Sequence, residues 1–545
     1  MTRIQKILWA WIFMLMGVGA AVYLHWPALT NPLVYKSDVR QSPHWSAYHT
    51  DSFREDDLIV RLGAYNESPV QNLIYYIGTY MVDMVTLGKW IAVISYGLIA
   101  ALFFWLGHSM LGFRGGAIAS IFITFFPDQF EYCAGGFSKM WMIPLILCCV
   151  YFLEKKYWYG LFFIMPFGAA AYPVCAVFIG AVALFFLILE IPENGEKILR
   201  PLGILCIASV LAVTVLLIKY LFPPDYIGAL TPGYLLRKMP EMYRGGMYHY
   251  LPLPTLTQEV TKHLAHPFIL FSAVVFLICL GHKGTGWTRV MTAMVLASVI
   301  FYLIARIMFM DLYQPNRYTR YSIAVLLALW QARNWDRILA LLPWRIVQTV
   351  ALVSMLCLGG YLYKDTFRIG KDTSPREEWA PLNRFIATLP DKILVAGHPK
   401  YMDDIPIQAR RSVLCNYKMA HPWYSKYYAE IRQRTLATFD ALYAGDFEPA
   451  NLLFRKWGVT HLVVVKRYMS NSQIQGRKIY VNPYNEYIVK ITRKVREFAF
   501  SNPPPENIVY EDKELYVIAL PINDKDSSGD KSSSPMPGSA GEDNR

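Results

Sequence analysis

Ile7-Leu8-Trp9-Ala10-Trp11-Ile12-Phe13-Met14-Leu15-Met16-Gly17-Val18-Gly19-Ala20-Ala21-Val22-Tyr23-Leu24, preceded by Arg3 and Lys6 and followed by the polar stretch Lys36-Ser37-Asp38-Val39-Arg40-Gln41, decides how the rest of the chain is read. An uncharged run of this length can cross the hydrocarbon core of a bilayer as a helix. It is long for the apolar region of a signal peptide, and Trp26-Pro27-Ala28 makes a poor cleavage site, so it is read as an uncleaved span. Similar runs recur as far as Tyr363. Of the 545 residues, 54% are hydrophobic and only 17% charged, with a mean hydropathy of +0.27. Soluble domains carry about a quarter charged residues, which excludes a soluble cytosolic enzyme.

Apolar windows predict spans at Ile7–Trp26, Trp90–Leu111, Gly115–Phe126, Met140–Leu153, Trp158–Ala171, Pro173–Ile191, Leu202–Phe222, Pro267–Gly281, Met291–Met310, Ser322–Ala332 and Ile346–Tyr363, about eleven in all. With the N-terminus in the cytoplasm, the short inner connections hold Arg114, Lys155 and Lys156, Lys197 and Arg200, Lys283 and Arg289, then Arg333, Arg337 and Arg345. This is the positive-inside pattern, and it accounts for the net charge of +13 without nucleic acid as a partner. The long connections 27–89 and 223–266 then face outward, and an odd count leaves the C-terminus outside. Val70, Leu73, Ile74, Ile77, Met81 and Met84 share a helical face, predicting an amphipathic helix lying in the interface. The eight cysteines follow no metal-ligand spacing and imply no disulfide framework.

Residues 1–363 therefore read as a transmembrane domain. The segment 364–521 is charged and Pro-punctuated, with strand-like Ile393–Ala396 and His461–Val465, helix-like Tyr424–Tyr443 and Glu448–Trp457, and a hairpin-like Ile508–Leu520. It is expected to form an extracytoplasmic α/β domain with a partly parallel sheet. No Gly-rich phosphate loop follows a strand, so nucleotide binding is unsupported. The Ser-, Asp-, Gly- and Pro-rich stretch 522–545 is expected to be a disordered tail.

The first outer loop carries Asp38, Glu55, Asp56 and Asp57 close to the membrane. Such carboxylates can deprotonate an acceptor hydroxyl or hold a divalent cation, Mg or Mn, against a phosphate. Their structural reading is a solvated loop paired with Arg40 and Arg54. Arg244 in the second long loop and Arg317 before the tenth span put guanidinium groups on the outer face, suited to gripping phosphate oxygens in pairs. Tyr243, Tyr248, Tyr313 and Tyr318 can stack on a sugar ring or form an interfacial belt. His44, His49, His398 and His421 follow no ligand spacing and read as ordinary polar residues.

Ser37-Asp38-Val39-Arg40-Gln41, Asp57-Leu58-Ile59, Met239-Pro240-Glu241 and Pro315-Asn316-Arg317-Tyr318-Thr319, in that order over most of residues 1–330, resemble bacterial polytopic proteins related to the GT-C glycosyltransferases. Ile405-Pro406 and Arg410-Arg411-Ser412-Val413-Leu414 extend the likeness into the C-terminal domain. The acid often found directly before Asp38 in that group is Ser37 here. The resemblance implies a polyprenyl-phosphate-linked sugar as donor, Asp38 as base or metal-associated acid, and Arg317 on the lipid phosphate. The resulting expectation is an α-helical polytopic membrane protein of GT-C-like architecture in a bacterial inner membrane, moving a sugar to a cell-envelope glycan, lipid or protein. Its catalytic candidates are Asp38 and Asp57, which could also hold a metal; its phosphate-binding candidates are Arg317, Arg244 and Arg40. A transporter or flippase of a lipid-linked sugar is the alternative.

Overall fold

The computed structural model describes residues 2–126, 129–258, 287–309, 311–312, 314–341, 346–350, 353–354, 357, 373–375, 378–475, 477–493 and 495–522. The first helix, Arg3–Thr30, starts on a capping box in which Thr2 and Gln5 bond each other's backbone amides. It packs along Met84–Thr124, with Gly17 so near Gly97 that a Cβ on Gly17 would lie 2.9 Å from the Gly97 Cα. Met84–Thr124, at 41 residues, is about 60 Å of helix, twice a bilayer thickness. It doubles back at Gly112, whose φ of +79° only glycine adopts without strain. Its halves run antiparallel, Ser120 Oγ donating to the Ala100 carbonyl at 2.9 Å, and they correspond to the expected spans Trp90–Leu111 and Gly115–Phe126.

Among the described residues, the helices long and apolar enough to cross a membrane are Arg3–Thr30, Met84–Thr124, Pro173–Pro192, Leu199–Leu221 and Arg289–Ile307. Met142–Glu154 and Leu161–Ala171 are shorter apolar helices packed among them. Of the expected spans, Pro267–Gly281 lies outside the described residues and Ile346–Tyr363 largely so. Between Leu161–Ala171 and Pro173–Asn194 the chain is extended at Tyr172, with φ −156° and ψ 98°, as expected of a residue whose successor is proline. The expected interfacial helix is the ten-residue Pro69–Gly78, with Leu73 and Ile77 exposed and Gln71 and Tyr75 buried. It ends before Met81; Asp83 instead caps the next helix, which starts at Met84.

Strand β1 (Val34–Lys36), just after the first helix, pairs antiparallel with β2 (Thr373–Pro375). Further on, β3 (Leu394–Gly397), β4 (Ser412–Val413), β5 (His461–Val465), β6 (Ile508–Glu511) and β7 (Leu515–Ala519) form one sheet in the order β4-β3-β5-β7-β6. β3 runs parallel to β4 and β5, whereas β7 is antiparallel to β5 and β6. Helices Ser425–Tyr443 and Glu448–Trp457 flank it, the second ending at Gly458 in the left-handed conformation. Leu58, Ile59 and Leu62 of the first long loop, and Ile227 and Met247 of the second, pack into the core of this α/β unit. The expected boundary at 363/364 and the stretch 523–545 lie outside the described residues.

Candidate active site

Asp38 sits on the 3-10 turn Ser37–Gln41 that follows β1. Its carboxylate is 3.5 Å from Lys139 Nζ. Burial pushes its pKa up, but Lys139, Lys36 and Lys418 pull harder, so it lies below the usual value and the group is ionised at neutral pH. Lys36 is itself buried, donates to the Glu131 carbonyl at 3.2 Å, and is lowered to about 8 by burial and by the neighbouring Lys139. Glu131 pairs with Arg320 at 2.5 Å. The Lys139 turn follows Gly135 and Gly136, at φ +83° and +61°, which lie close to the Tyr75 hydroxyl; a Cβ on Gly136 would be 2.8 Å from it.

Asp38, Lys139 and Arg317 line one cavity of about 230 Å³, together with Glu67, Tyr172 and Tyr250. Arg317, on the 3-10 turn Pro315–Arg317, donates from Nη1 to the Tyr321 hydroxyl at 3.1 Å. Glu67, at the end of helix Leu58–Asn66, accepts from the Ser68 amide at 3.0 Å, and burial raises its pKa. A second cavity of about 550 Å³ shares Gln41, Asn66, Glu67, Ser138, Tyr172 and Tyr250 with the first, so the two adjoin. One side of the larger space is apolar: Ala169, Ala171, Val174, Val177, Val215 and Leu216, from helices that the sequence marks as membrane-embedded. The break at Tyr172–Pro173 stands where the charged chamber meets this apolar groove.

The remaining sequence candidates lie elsewhere. Asp57 caps helix Leu58–Asn66, one oxygen accepting from the amides of Ile59 at 2.9 Å and Val60 at 3.0 Å. It faces a separate cavity of about 290 Å³ with Arg54, Asp56 and Arg434, and burial raises its pKa. The structure therefore does not bring Asp57 beside Asp38. Arg40 does not face the chamber either: it binds Asp403 at 3.1 Å and lies 3.8 Å from Asp404, both in the C-terminal unit. Arg54 pairs with Asp56 at 2.8 Å, as the structural reading of the loop expects. Arg244 is exposed and lines neither chamber nor groove. With Asp57 in another cavity and lysines around Asp38, the two acids do not form a shared divalent-cation site. Among the described residues no three or more His, Cys, Asp or Glu side chains group as metal ligands.

Sequence reasoning passed over Lys139 and Glu67. The Gly135-Gly136 pair was the available signal for the first, marking a tight turn beside a lone lysine between two apolar runs. For Glu67 there was none beyond its place before Ser68-Pro69, a helix start.

No protein-family description matches the sequence, and no curated protein matches it. Solved structures do match. ArnT from Cupriavidus metallidurans bound to undecaprenyl phosphate aligns with TM-score 0.52 and 10% identity, over 94% of this chain and 98% of its own. The same protein in the apo state gives 0.54 and 12% identity, over 94% and 97%. The archaeal oligosaccharyltransferase AglB from Archaeoglobus fulgidus, in complex with an inhibitory peptide and a dolichol-phosphate, gives 0.48 and 12%, over 86% and 71%. The likeness to ArnT is one of fold, and it runs nearly end to end. The chain shares the fold of ArnT, and with its apolar helices it is a polytopic integral membrane protein carrying an α/β unit.

Proposed function

We propose that this protein is a membrane glycosyltransferase that moves a sugar from a polyprenyl-phosphate donor to an acceptor on the outer face of a bacterial inner membrane. The observation that carries the reading is the junction of two unlike spaces: a chamber with Asp38, Lys139 and Arg317, and an apolar groove that opens from it. A lipid phosphate has that same division, and its tail would lie in the groove while its phosphate meets Lys139 and Arg317. The acceptor hydroxyl oxygen would attack the anomeric carbon, the bond from that carbon to the phosphate oxygen would break, and the electron pair would leave on polyprenyl phosphate. The hydroxyl proton would pass to Asp38, which its lysine neighbours keep ionised. Lys139 and Arg317 would stabilise the charge on the departing phosphate.

The basic inner connections support about eleven spans, a cytoplasmic N-terminus and an extracytoplasmic C-terminal unit. The acceptor would be a cell-envelope glycan, lipid or protein. A transporter or flippase is not favoured: within the five described membrane-length stretches, Pro173–Pro192 among them, Glu190 is the one acid, and it sits near the end of its stretch, bound to Lys156 and Arg289 at 2.8 Å each. Mass spectrometry of envelope glycans and lipid-linked sugars, with and without the gene, tests the proposal. Deletion should remove one sugar from an envelope product and raise one polyprenyl-phosphate sugar. Unchanged profiles in both would overturn it.

A further inference from the structure

We infer that Tyr248, Tyr250, His421 and Trp423, an aromatic cluster that lines the larger cavity together with its apolar residues, make a saccharide shelf that stacks on the ring of the sugar being transferred or of the glycan receiving it. The inference rests on the glycosyltransferase reading and adds to it where the carbohydrate lies.

The four rings come from two distant parts of the chain, the second long loop and the segment before helix Ser425–Tyr443. Tyr248 and Trp423 lie 5.0 Å apart between ring centroids, His421 and Trp423 6.3 Å apart and only 19° from parallel, and Tyr248 and Tyr250 5.7 Å apart. The backbone beneath is tied down, the Thr231 amide donating to the Trp423 carbonyl at 2.8 Å and Leu230 bridging to Tyr424. Trp423, Tyr248 and Tyr250 are each part-exposed, so ring surface remains for a ligand.

The chemistry of this wall suits a neutral, hydroxyl-bearing ring. Burial raises the Tyr248 phenol above its ordinary value, while burial and Lys418 push His421 down to about 4, so both are uncharged at neutral pH. The faces of aromatic rings are electron-rich and attract the polarised C–H groups on the flat side of a pyranose. Asp311, Thr231 and Asn66 line the same cavity and can answer hydroxyls. His421 is 4% exposed; its Nδ1 lies 2.7 Å from the Tyr248 hydroxyl, and its Nε2 has no partner among the described residues. Tyr250 also lines the chamber of Asp38, Lys139 and Arg317, so a ring on the shelf has the charged chamber at its edge.

The test uses the full chain in lipid nanodiscs, with wild type, Trp423→Ala, Trp423→Phe and Tyr248→Ala. Binding is read by native mass spectrometry against three probes: undecaprenyl phosphate, undecaprenyl phosphate carrying single hexoses, pentoses or aminosugars, and free oligosaccharides from envelope glycans. If the shelf holds the donor sugar, Trp423→Ala weakens a sugar-bearing lipid by about tenfold and leaves undecaprenyl phosphate unchanged, and Trp423→Phe restores most of the loss. If it holds the acceptor, the same pattern falls on the free oligosaccharides alone. Unchanged binding of every saccharide probe in both alanine variants overturns the shelf, as does an equal loss for bare and sugar-bearing lipid. Failure of wild type to bind any lipid phosphate would instead overturn the glycosyltransferase reading, and the shelf with it.

Discussion

Replacing Arg40 by methionine asks whether the turn that carries Asp38 is held by the C-terminal unit. Arg40 is 11% exposed and Asp403 2%, with 3.1 Å between them, and Asp403 also accepts from the Lys418 amide at 2.8 Å. Burial lifts Asp403 from 3.8 to about 6, even though Arg40 and the Lys418 amide pull it down. A carboxyl whose pKa rises on burial stabilises the closed arrangement fully below its unfolded value, and that contribution fades as pH rises through about 6. At about 1.4 kcal/mol per unit, the swing from near pH 4 to near pH 7 is about 3 kcal/mol. Without the guanidinium, Asp403 stays protonated to higher pH and the fade continues. Near pH 5 wild type and Arg40→Met should differ by only about 1 kcal/mol, a lost hydrogen bond. Above about pH 6 the gap should widen by roughly 1.4 kcal/mol per unit until the variant's own pKa is passed. Hydrogen-exchange mass spectrometry of the full chain in nanodiscs, on peptides covering 37–41 and 403–418 and corrected for intrinsic exchange, reads this as protection lost by about fivefold at pH 5 and by about tenfold more than that, or greater, at pH 8. A pH-independent difference would refute the argument, and so would a change in 403–418 that leaves 37–41 untouched.

Asp38→Asn keeps shape and removes the proton acceptor, so turnover in a transfer assay should fall by about two orders of magnitude or more with expression unchanged; a wild-type rate would remove Asp38 from the chemistry. Asp57→Ala should leave turnover near normal and lower stability by about 1 kcal/mol, the cost of a lost helix cap, read by thermal unfolding in detergent. Arg317→Ala should raise the donor concentration needed for half-maximal rate by about tenfold or more, with melting temperature little changed; full activity at limiting donor would make it a plain interfacial arginine. A periplasm-active reporter fused after Leu520 should work and a cytoplasm-active one should not, and the reverse would mean that the span count is off by one.

The apolar helices were legible because hydrocarbon length imposes a residue count, and that count survives even where Gly112 folds one continuous helix into two passes. The C-terminal strands Leu394–Gly397 and His461–Val465 were legible for a related reason: short apolar runs between turn residues have few other uses. Asp57 shows a signal that was present and outranked. An Asp directly before Leu58-Ile59 is a helix cap by its position, but its acidity in an outer loop suggested chemistry. What no single sequence reveals is pairing at long range. Arg40 and Asp403 are 363 residues apart, and β1 meets β2 across more than three hundred residues, so the arginine read as a phosphate ligand is bound to the other end of the chain.

The groove beside Tyr172 has a kinetic consequence. Its wall of Val177, Val215 and Leu216 belongs to helices Pro173–Asn194 and Leu199–Leu221, whose outward faces are apolar, and Val177 is exposed there. A donor that enters past such a wall arrives by diffusion in the plane of the membrane, so its effective concentration is a number per area of bilayer. Diluting the same amount of donor and enzyme with inert phospholipid should then slow the reaction, while changing the volume of the surrounding water should leave it unaltered. Spent carrier would leave by the same lateral route, competing with fresh donor for one doorway, and its removal from the membrane would set the pace at high donor density.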